Sequence, residues 1–222
     1  MEKDKKFTSA QMQEFHSRMR QLQQRRVLGV LCALLAPMCL LFGLLGQSNY
    51  EHWYYSISAT YYANSNMCMI GLLFATAVFF VSYKGYDRLD RVLTDLSALF
   101  ALGIVAFPCR VEVGPDHAGL LYLPIEVSNV LHFICAGSLF VSFAVMILCQ
   151  FTKGRTDTPQ KRRRNRVYRL CGWGILVVLA FQAVAMALGL PGWLTMVDEF
   201  LMLQFFALAW LTKGEAFKRL ND

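Results

Sequence analysis

The sequence predicts an all-α fold, a polytopic bundle of six transmembrane helices with both termini in the cytoplasm. Of its 222 residues, 56% are hydrophobic and only 17% are charged, which is far from the composition of an ordinary soluble domain. Six apolar runs each approach the length of about 20 residues that crosses the hydrocarbon core. When these runs are laid across a bilayer, 21 of the 22 Lys and Arg residues fall on one side and only Arg110 lies on the other. Basic loops stay cytoplasmic during insertion, and this asymmetry therefore sets the orientation.

Residues 1–26 are predicted to form a cytoplasmic amphipathic helix, which precedes a six-span membrane domain, residues 27–212, and a cytoplasmic tail, residues 213–222. Thr8 and Gln11 have the spacing of a capping box at the start of this helix. Four apolar residues recur at three- and four-residue intervals: Met12, Phe15, Met19 and Leu22. Such a stripe indicates either a helix that lies on the inner leaflet or one that docks on the protein's own loops.

The six spans are predicted at about residues 27–46, 67–83, 92–108, 128–151, 170–190 and 193–212. Pro37 is expected to kink the first span, because proline removes a backbone donor. Asp95 is expected at the cytoplasmic start of the third span, where a carboxylate complements a helix N-terminus. Pro191 and Gly192 predict a tight turn between the last two spans.

Aromatic residues crowd the loop between the first two spans, residues 47–66. The loop carries Tyr50, Trp53, Tyr54, Tyr55, Tyr61 and Tyr62. Amphipathic aromatic side chains prefer the headgroup level of a membrane, and the loop is therefore expected to lie along the outer interface. The alternative is that the loop covers a pocket that opens between the helices.

Ionisable residues at membrane depth are predicted at the outer end of the bundle. His132 on the fourth span, and Asp198 with Glu199 on the sixth, lie about one turn below the outer surface. The third span delivers Arg110 to the same level. A charged side chain at the bilayer centre costs about 2.5 to 3.5 kcal/mol on insertion scales, and it normally has a partner or a task. His132 and Glu199 are therefore the candidate pair.

The fourth span also carries a stripe of small and polar residues: Ser128, His132, Cys135, Ser138 and Ser142, with Asn129 beside them. Such a stripe indicates either close packing between membrane helices or the wall of a polar site. In the second interpretation, an outer pocket is lined by Ser58, Arg110, Asn129, His132 and Glu199, and it binds a lipid headgroup or a small amphiphile. Arg110 is the predicted ligand for a phosphate or carboxylate group.

Two other function classes stay open. An intramembrane metal-dependent lipid hydrolase would use His132 as the base, with Glu199 as the second catalytic candidate. A non-catalytic subunit or scaffold would bind a membrane partner protein or a second copy of the chain. Ser56 and Ser58 lack the glycine elbow of serine hydrolases, and no His or Cys pair has zinc-site spacing. No cofactor and no nucleic acid are expected; membrane lipids are the expected partners, at the cell membrane.

Four strings of the sequence carry a resemblance to a known group: residues 56–62 (SISATYY), 83–88 (YKGYDR), 164–172 (RNRVYRLCG) and 210–215 (WLTKGE). In these strings the chain resembles bacterial six-helix membrane proteins of domain-of-unknown-function type, over most of its length after the N-terminal helix. That resemblance implies the same topology and a polar site that includes His132 and Glu199. More distantly, Ser, Asp and His at membrane depth resemble those of alkaline ceramidases and adiponectin-type receptors. This second resemblance implies a zinc cofactor, although the C-terminal His pair of those hydrolases is missing here.

Overall fold

The computed structural model describes residues 8–46, 52–83, 85, 87–154 and 156–220. Within these ranges six α-helices follow one another: α1 (Ser9–Leu45), α2 (Asn66–Ser82), α3 (Arg88–Ala106), α4 (Ile125–Val145), α5 (Pro159–Ala187) and α6 (Trp193–Lys213). Each predicted span falls on one of these helices, and α5 begins well before residue 170 because the basic segment ahead of it is also helical. The all-α prediction is confirmed.

Short elements complete the described part of the chain. The 3₁₀ turns are Trp53–Tyr55, Ser58–Tyr62 and Lys218–Leu220, and a π-helical turn, Met146–Phe151, continues α4. In the connection between α3 and α4, strands β1 (His117–Ala118) and β2 (Leu123–Pro124) pair antiparallel, with His117 opposite Pro124. Tyr50, predicted in the aromatic loop, lies outside the described residues.

Side-chain caps fix the starts of two helices. Thr8 Oγ1 accepts a hydrogen bond from the Gln11 backbone N–H (3.3 Å), and the Gln11 side chain accepts one from the Thr8 N–H (2.9 Å). The predicted capping box is confirmed. Asp87 caps α3 by accepting a hydrogen bond from the Asp90 backbone N–H (2.9 Å). The sequence placed Asp95 at the start of this helix. Asp95 is instead an exposed residue about two turns inside the helix and does not cap it.

The N-terminal segment and the first apolar run form one uninterrupted helix. α1 has 37 residues and continues through positions 26 and 27, where a separate amphipathic helix was expected to end. Its first half contacts the C-terminal segment, because Arg26 Nε donates to the Gly214 carbonyl (2.7 Å) and Arg18 pairs with Glu215 (3.3 Å). Along this side of the helix, the contacts agree with the alternative in which the N-terminal segment docks on other parts of the protein. The apolar side chains of the stripe Met12, Phe15 and Met19 stay exposed.

Four helices are long and apolar enough to cross a membrane: α1, α4 with its π-helical turn, α5 and α6. α2 is equally apolar but has 17 residues. α3 has 19 residues, and its first two turns carry Arg88, Asp90, Arg91 and Asp95. The chain is therefore a membrane protein with at least four candidate spans, and the expected six include one short helix and one helix with a charged start.

The helices form a closed ring in which each helix packs against its neighbours in the chain and α6 packs against α1. Buried aromatic side chains fill one half of the ring. The Phe143 and Phe206 rings are stacked with centroids 3.7 Å apart. Phe80 packs edge-on against Phe206, and Trp210 packs edge-on against Phe80. We call the end that holds residues 52–65 the aromatic end. The opposite end, with the α2–α3 and α4–α5 connections and residues 214–220, is the basic end.

Candidate functional site

Residues 57–60, between α1 and α2, fold into the ring. Ile57, Ser58, Ala59 and Thr60 are each at most 7% exposed, whereas the aromatic residue Tyr54 is 45% exposed. Two glycines make room for aromatic residues of the segment between α1 and α2. A side chain at Gly43 would collide with the Trp53 ring, and one at Gly192 would meet Tyr55 at 2.5 Å. The segment therefore plugs the aromatic end of the ring.

Ser58 is hydrogen bonded to His132 at the inner side of this plug. His132 is 2% exposed. Its Nδ1 lies 2.8 Å from the Phe107 carbonyl oxygen, and its Nε2 lies 2.9 Å from Ser58 Oγ. Because a carbonyl only accepts, Nδ1 carries the proton and donates it, and Nε2 of the neutral imidazole accepts the Ser58 hydroxyl. The basic lone pair of His132 is thus directed at a serine oxygen.

Glu199 approaches Ser58 from the other side. Its Oε2 accepts the Ile57 backbone N–H (2.6 Å), and its Oε1 lies 3.4 Å from Ser58 Oγ. In the described part of the chain, His132 and Glu199 both lie against Ser58 Oγ and have no hydrogen bond to each other. The single Ser58 hydroxyl proton serves one of these two acceptors at a time. Three side chains, Ser58, His132 and Glu199, therefore meet where the sequence predicted a pair. Glu199 also satisfies the backbone N–H of a buried residue, Ile57.

The first turns of α4 hold the backbone that follows α3. Ser128 Oγ donates to the Pro108 carbonyl (2.8 Å), and Asn129 Oδ1 accepts the Arg110 backbone N–H (2.8 Å). The Arg110 guanidinium donates to Glu126 (2.8 Å), with 59% and 68% of the two side chains exposed. Arg110 is thus oriented by an exposed ion pair. Asn129 acts on the backbone of Arg110 and does not line the cavity described next.

A polar cleft of about 190 Å³ opens at the aromatic end. Four of the five predicted ligand-binding residues line it together: Ser58, Arg110, His132 and Glu199. Tyr55 and His52 form part of its wall, and the His52 imidazole lies 3.0 Å from the Glu112 carboxylate. The aromatic loop therefore contributes to the wall of a cleft, as one of the two sequence interpretations expected.

An apolar groove of about 300 Å³ adjoins the cleft, between α4, α5 and α6. Phe133, Gly137, Leu179 and Met186 are among its lining residues. The cleft and the groove share four residues: His132, Phe133, Thr195 and Glu199. Gly137 leaves free space in the groove, because an added Cβ there would have no neighbour within 4 Å. A polar and an apolar compartment thus meet at His132 and Glu199.

One functional candidate was missed in the sequence. Gln182 lines the groove, where its amide N–H donates to Thr195 Oγ1 (2.9 Å), and its Oε1 has no hydrogen-bond partner among the described residues. A Gln in the middle of an apolar span is itself a signal, because polar groups at that depth have partners or tasks. Asp198, which the sequence places beside Glu199, is buried, with 4% exposed.

The polar stripe of α4 divides into two parts. Ser128 and His132 make the hydrogen bonds that hold the cleft, whereas Cys135 packs on α3, where a Cβ at Gly103 would collide with its sulfur. Close packing and a polar site therefore both occur, at different depths of the same helix. Across residues 8–220, apart from the few undescribed positions, no group of three or more His, Cys, Asp or Glu side chains is placed to hold a metal ion.

Comparison of the chain with protein-family models, curated proteins and solved structures gives no match in any of the three. The two resemblances drawn from sequence strings are neither supported nor excluded by this result, and they stay predictions. The function is therefore inferred from the geometry of the cleft and the groove.

Proposed function

We propose that this membrane protein binds an amphiphile, with the headgroup in the polar cleft and the acyl chain in the apolar groove. The observation that carries the proposal is that the two compartments share His132, Phe133, Thr195 and Glu199. A polar cavity alone suits many ligands, and an apolar groove alone suits any lipid. Their junction suits a molecule that has both characters.

The headgroup end of the ligand is expected to be anionic or rich in hydrogen-bond donors. Arg110 at the cleft supplies a guanidinium that matches phosphate or carboxylate. Glu199, which lines both compartments, accepts hydrogen bonds from hydroxyl or amide groups. By the distribution of Lys and Arg, the cleft faces the outer leaflet of the cell membrane and both termini are cytoplasmic.

Native mass spectrometry of protein extracted in a mild detergent tests the proposal. The wild-type chain is expected to keep one lipid. In the Arg110→Ala variant, retention of an anionic lipid is expected to fall about 3- to 10-fold, because the variant loses a charge-assisted hydrogen bond at a partly exposed site. Glu126→Ala is the matched control, because it releases Arg110 from its ion pair and leaves retention unchanged or higher. Bare protein at every lipid concentration would overturn the proposal.

A second candidate function is hydrolysis of a lipid ester or amide, and the Ser58–His132 hydrogen bond favours it. In this mechanism Ser58 Oγ attacks the carbonyl carbon while its proton passes to His132 Nε2. The proton then leaves on the departing alcohol or amine, and water releases the acyl group from Ser58. The Phe107 carbonyl orients the imidazole, as a carboxylate does in the serine proteases.

Covalent labelling separates hydrolysis from binding alone. A lipid-like fluorophosphonate is expected to modify Ser58 if His132 activates it, and Ser58→Ala and His132→Ala each abolish the adduct. Ser56→Ala is the control, because Ser56 Oγ accepts the Ala59 backbone N–H (2.9 Å) and has no His132 contact. An unlabelled wild-type chain that still retains a lipid would leave amphiphile binding as the function and exclude this nucleophile.

A further inference from the structure

A second polar cavity, of about 350 Å³, lies at the basic end of the ring. It opens between the middle of α1, the start of α5, the end of α6 and the π-helical turn that continues α4. Five cationic side chains line it: Arg25, Lys153, Lys161, Arg164 and Lys213. The polar cleft that holds Ser58 is at the opposite end, so the basic cavity is a separate site.

Four of these cations contact neutral groups. The neutral contacts are the Tyr83 hydroxyl for Arg25 (3.2 Å), the Lys153 carbonyl for Lys161 (2.7 Å), the Leu220 carbonyl for Arg164 (2.8 Å) and the Phe151 ring for Lys213 (5.2 Å). Lys153 donates a hydrogen bond to Asp87, which lowers the pKa of that carboxyl group. The carboxylates of Asp87, Asp90 and Glu215 lie near five cations, and a positive excess therefore remains.

Gln150 gives the cavity an unsatisfied polar wall. The residue is 0% exposed, and neither its amide nitrogen nor its amide oxygen has a hydrogen-bond partner among the described residues. A buried amide without partners costs free energy, and each such group calls for an explanation. Gln150 belongs to the π-helical turn, a rare conformation that is frequent at functional sites. A ligand in the cavity would supply the missing partner.

We propose that the basic cavity binds a phosphate monoester or diphosphate group. Phosphate oxygens accept hydrogen bonds from Lys, Arg and the Gln150 amide N–H together, and a protonated phosphate oxygen also donates to the amide oxygen. A volume of 350 Å³ is large compared with the roughly 30 Å³ that one water occupies, and it therefore holds a phosphate group with a substituent. The group can belong to a soluble compound or to a lipid headgroup.

Titration of the full chain in detergent micelles with sodium pyrophosphate, and separately with a short-chain phosphatidic acid, tests this site. Gln150→Leu and Lys213→Gln are each expected to weaken binding of the accepted probe at least about 10-fold, since both remove a direct hydrogen bond to an anion. Arg163→Gln removes the same charge from the same end but does not line the cavity, and it is expected to change affinity by less than about 2-fold.

The two probes distinguish the sources of the phosphate group. Binding of pyrophosphate supports a soluble ligand, and binding of phosphatidic acid alone supports a headgroup. The melting temperature of the unliganded Gln150→Leu variant shows whether it folds. It is expected to be equal to that of the wild type or higher, because the substitution removes a buried amide that has no partner among the described residues. Failure of both probes to bind, or equal weakening by all three variants, would overturn the site.

Discussion

Replacing Glu199 with alanine is expected to destabilise the protein by about 2 to 5 kcal/mol. The substitution removes the acceptor of the Ile57 backbone N–H and a neighbour of the Ser58 hydroxyl, and both Ile57 and Ser58 are buried. For a chain of this size, such a loss corresponds to a fall of roughly 5 to 15 °C in melting temperature. Thermal unfolding in detergent measures it.

Two further variants make the Glu199 result specific. Glu199→Gln keeps an amide oxygen that accepts the Ile57 N–H, and it should lose clearly less than Glu199→Ala. Glu126→Ala breaks an exposed ion pair with Arg110 and is expected to change stability by less than about 1 kcal/mol. Equal melting temperatures for Glu199→Ala and Glu126→Ala would contradict the view that Glu199 holds the plug in the ring.

Filling the apolar groove is expected to abolish amphiphile binding without harming the fold. Gly137 lines the groove, and an added Cβ there meets no atom within 4 Å, so Gly137→Leu places a side chain in empty space. We expect at least a 10-fold loss of retained amphiphile, because the chain and the leucine side chain compete for the same volume. Leucine is a better helix former than glycine by up to about 1 kcal/mol, and the melting temperature should not fall.

Gly71→Leu is the matched control for the groove variant. Gly71 lies in α2, is exposed and also has no neighbour within 4 Å of an added Cβ, but it is not part of the groove. Both variants add the same side chain to an apolar helix. Retention measured by native mass spectrometry should fall for Gly137→Leu alone, and a parallel fall in both would show a general effect on the detergent-solubilised state.

The helices were predictable because the apolar runs are long and the caps have simple local signals. Thr8 with Gln11 is one such signal. The level shared by His132 and Glu199 also follows from helix rise and alternating direction, without any knowledge of packing. The same two considerations place both residues near Arg110 at one end of the ring.

The contacts within the site could not be predicted, since they depend on an irregular segment. Ser58 reaches His132 because residues 57–60 fold inward in a short 3₁₀ turn, and tertiary packing decides that path. The boundary at residues 26 and 27 was misplaced for a related reason: the change from polar to apolar residues does not interrupt backbone hydrogen bonding in α1. Asp95 was expected at the start of α3 because the apolar run was taken as the start of the helix, which in fact begins at Arg88 after the cap Asp87.

Photo-crosslinking tests the central claim most directly. A phospholipid with a diazirine in its acyl chain is incorporated into nanodiscs with the full chain, irradiated, and the adducts are mapped by peptide mass spectrometry. Amphiphile binding predicts adducts concentrated on Phe133, Leu179 and Met186, and their loss in Gly137→Leu. Adducts spread over exposed apolar residues such as Val81 and Val177, with no excess in the groove, would contradict it.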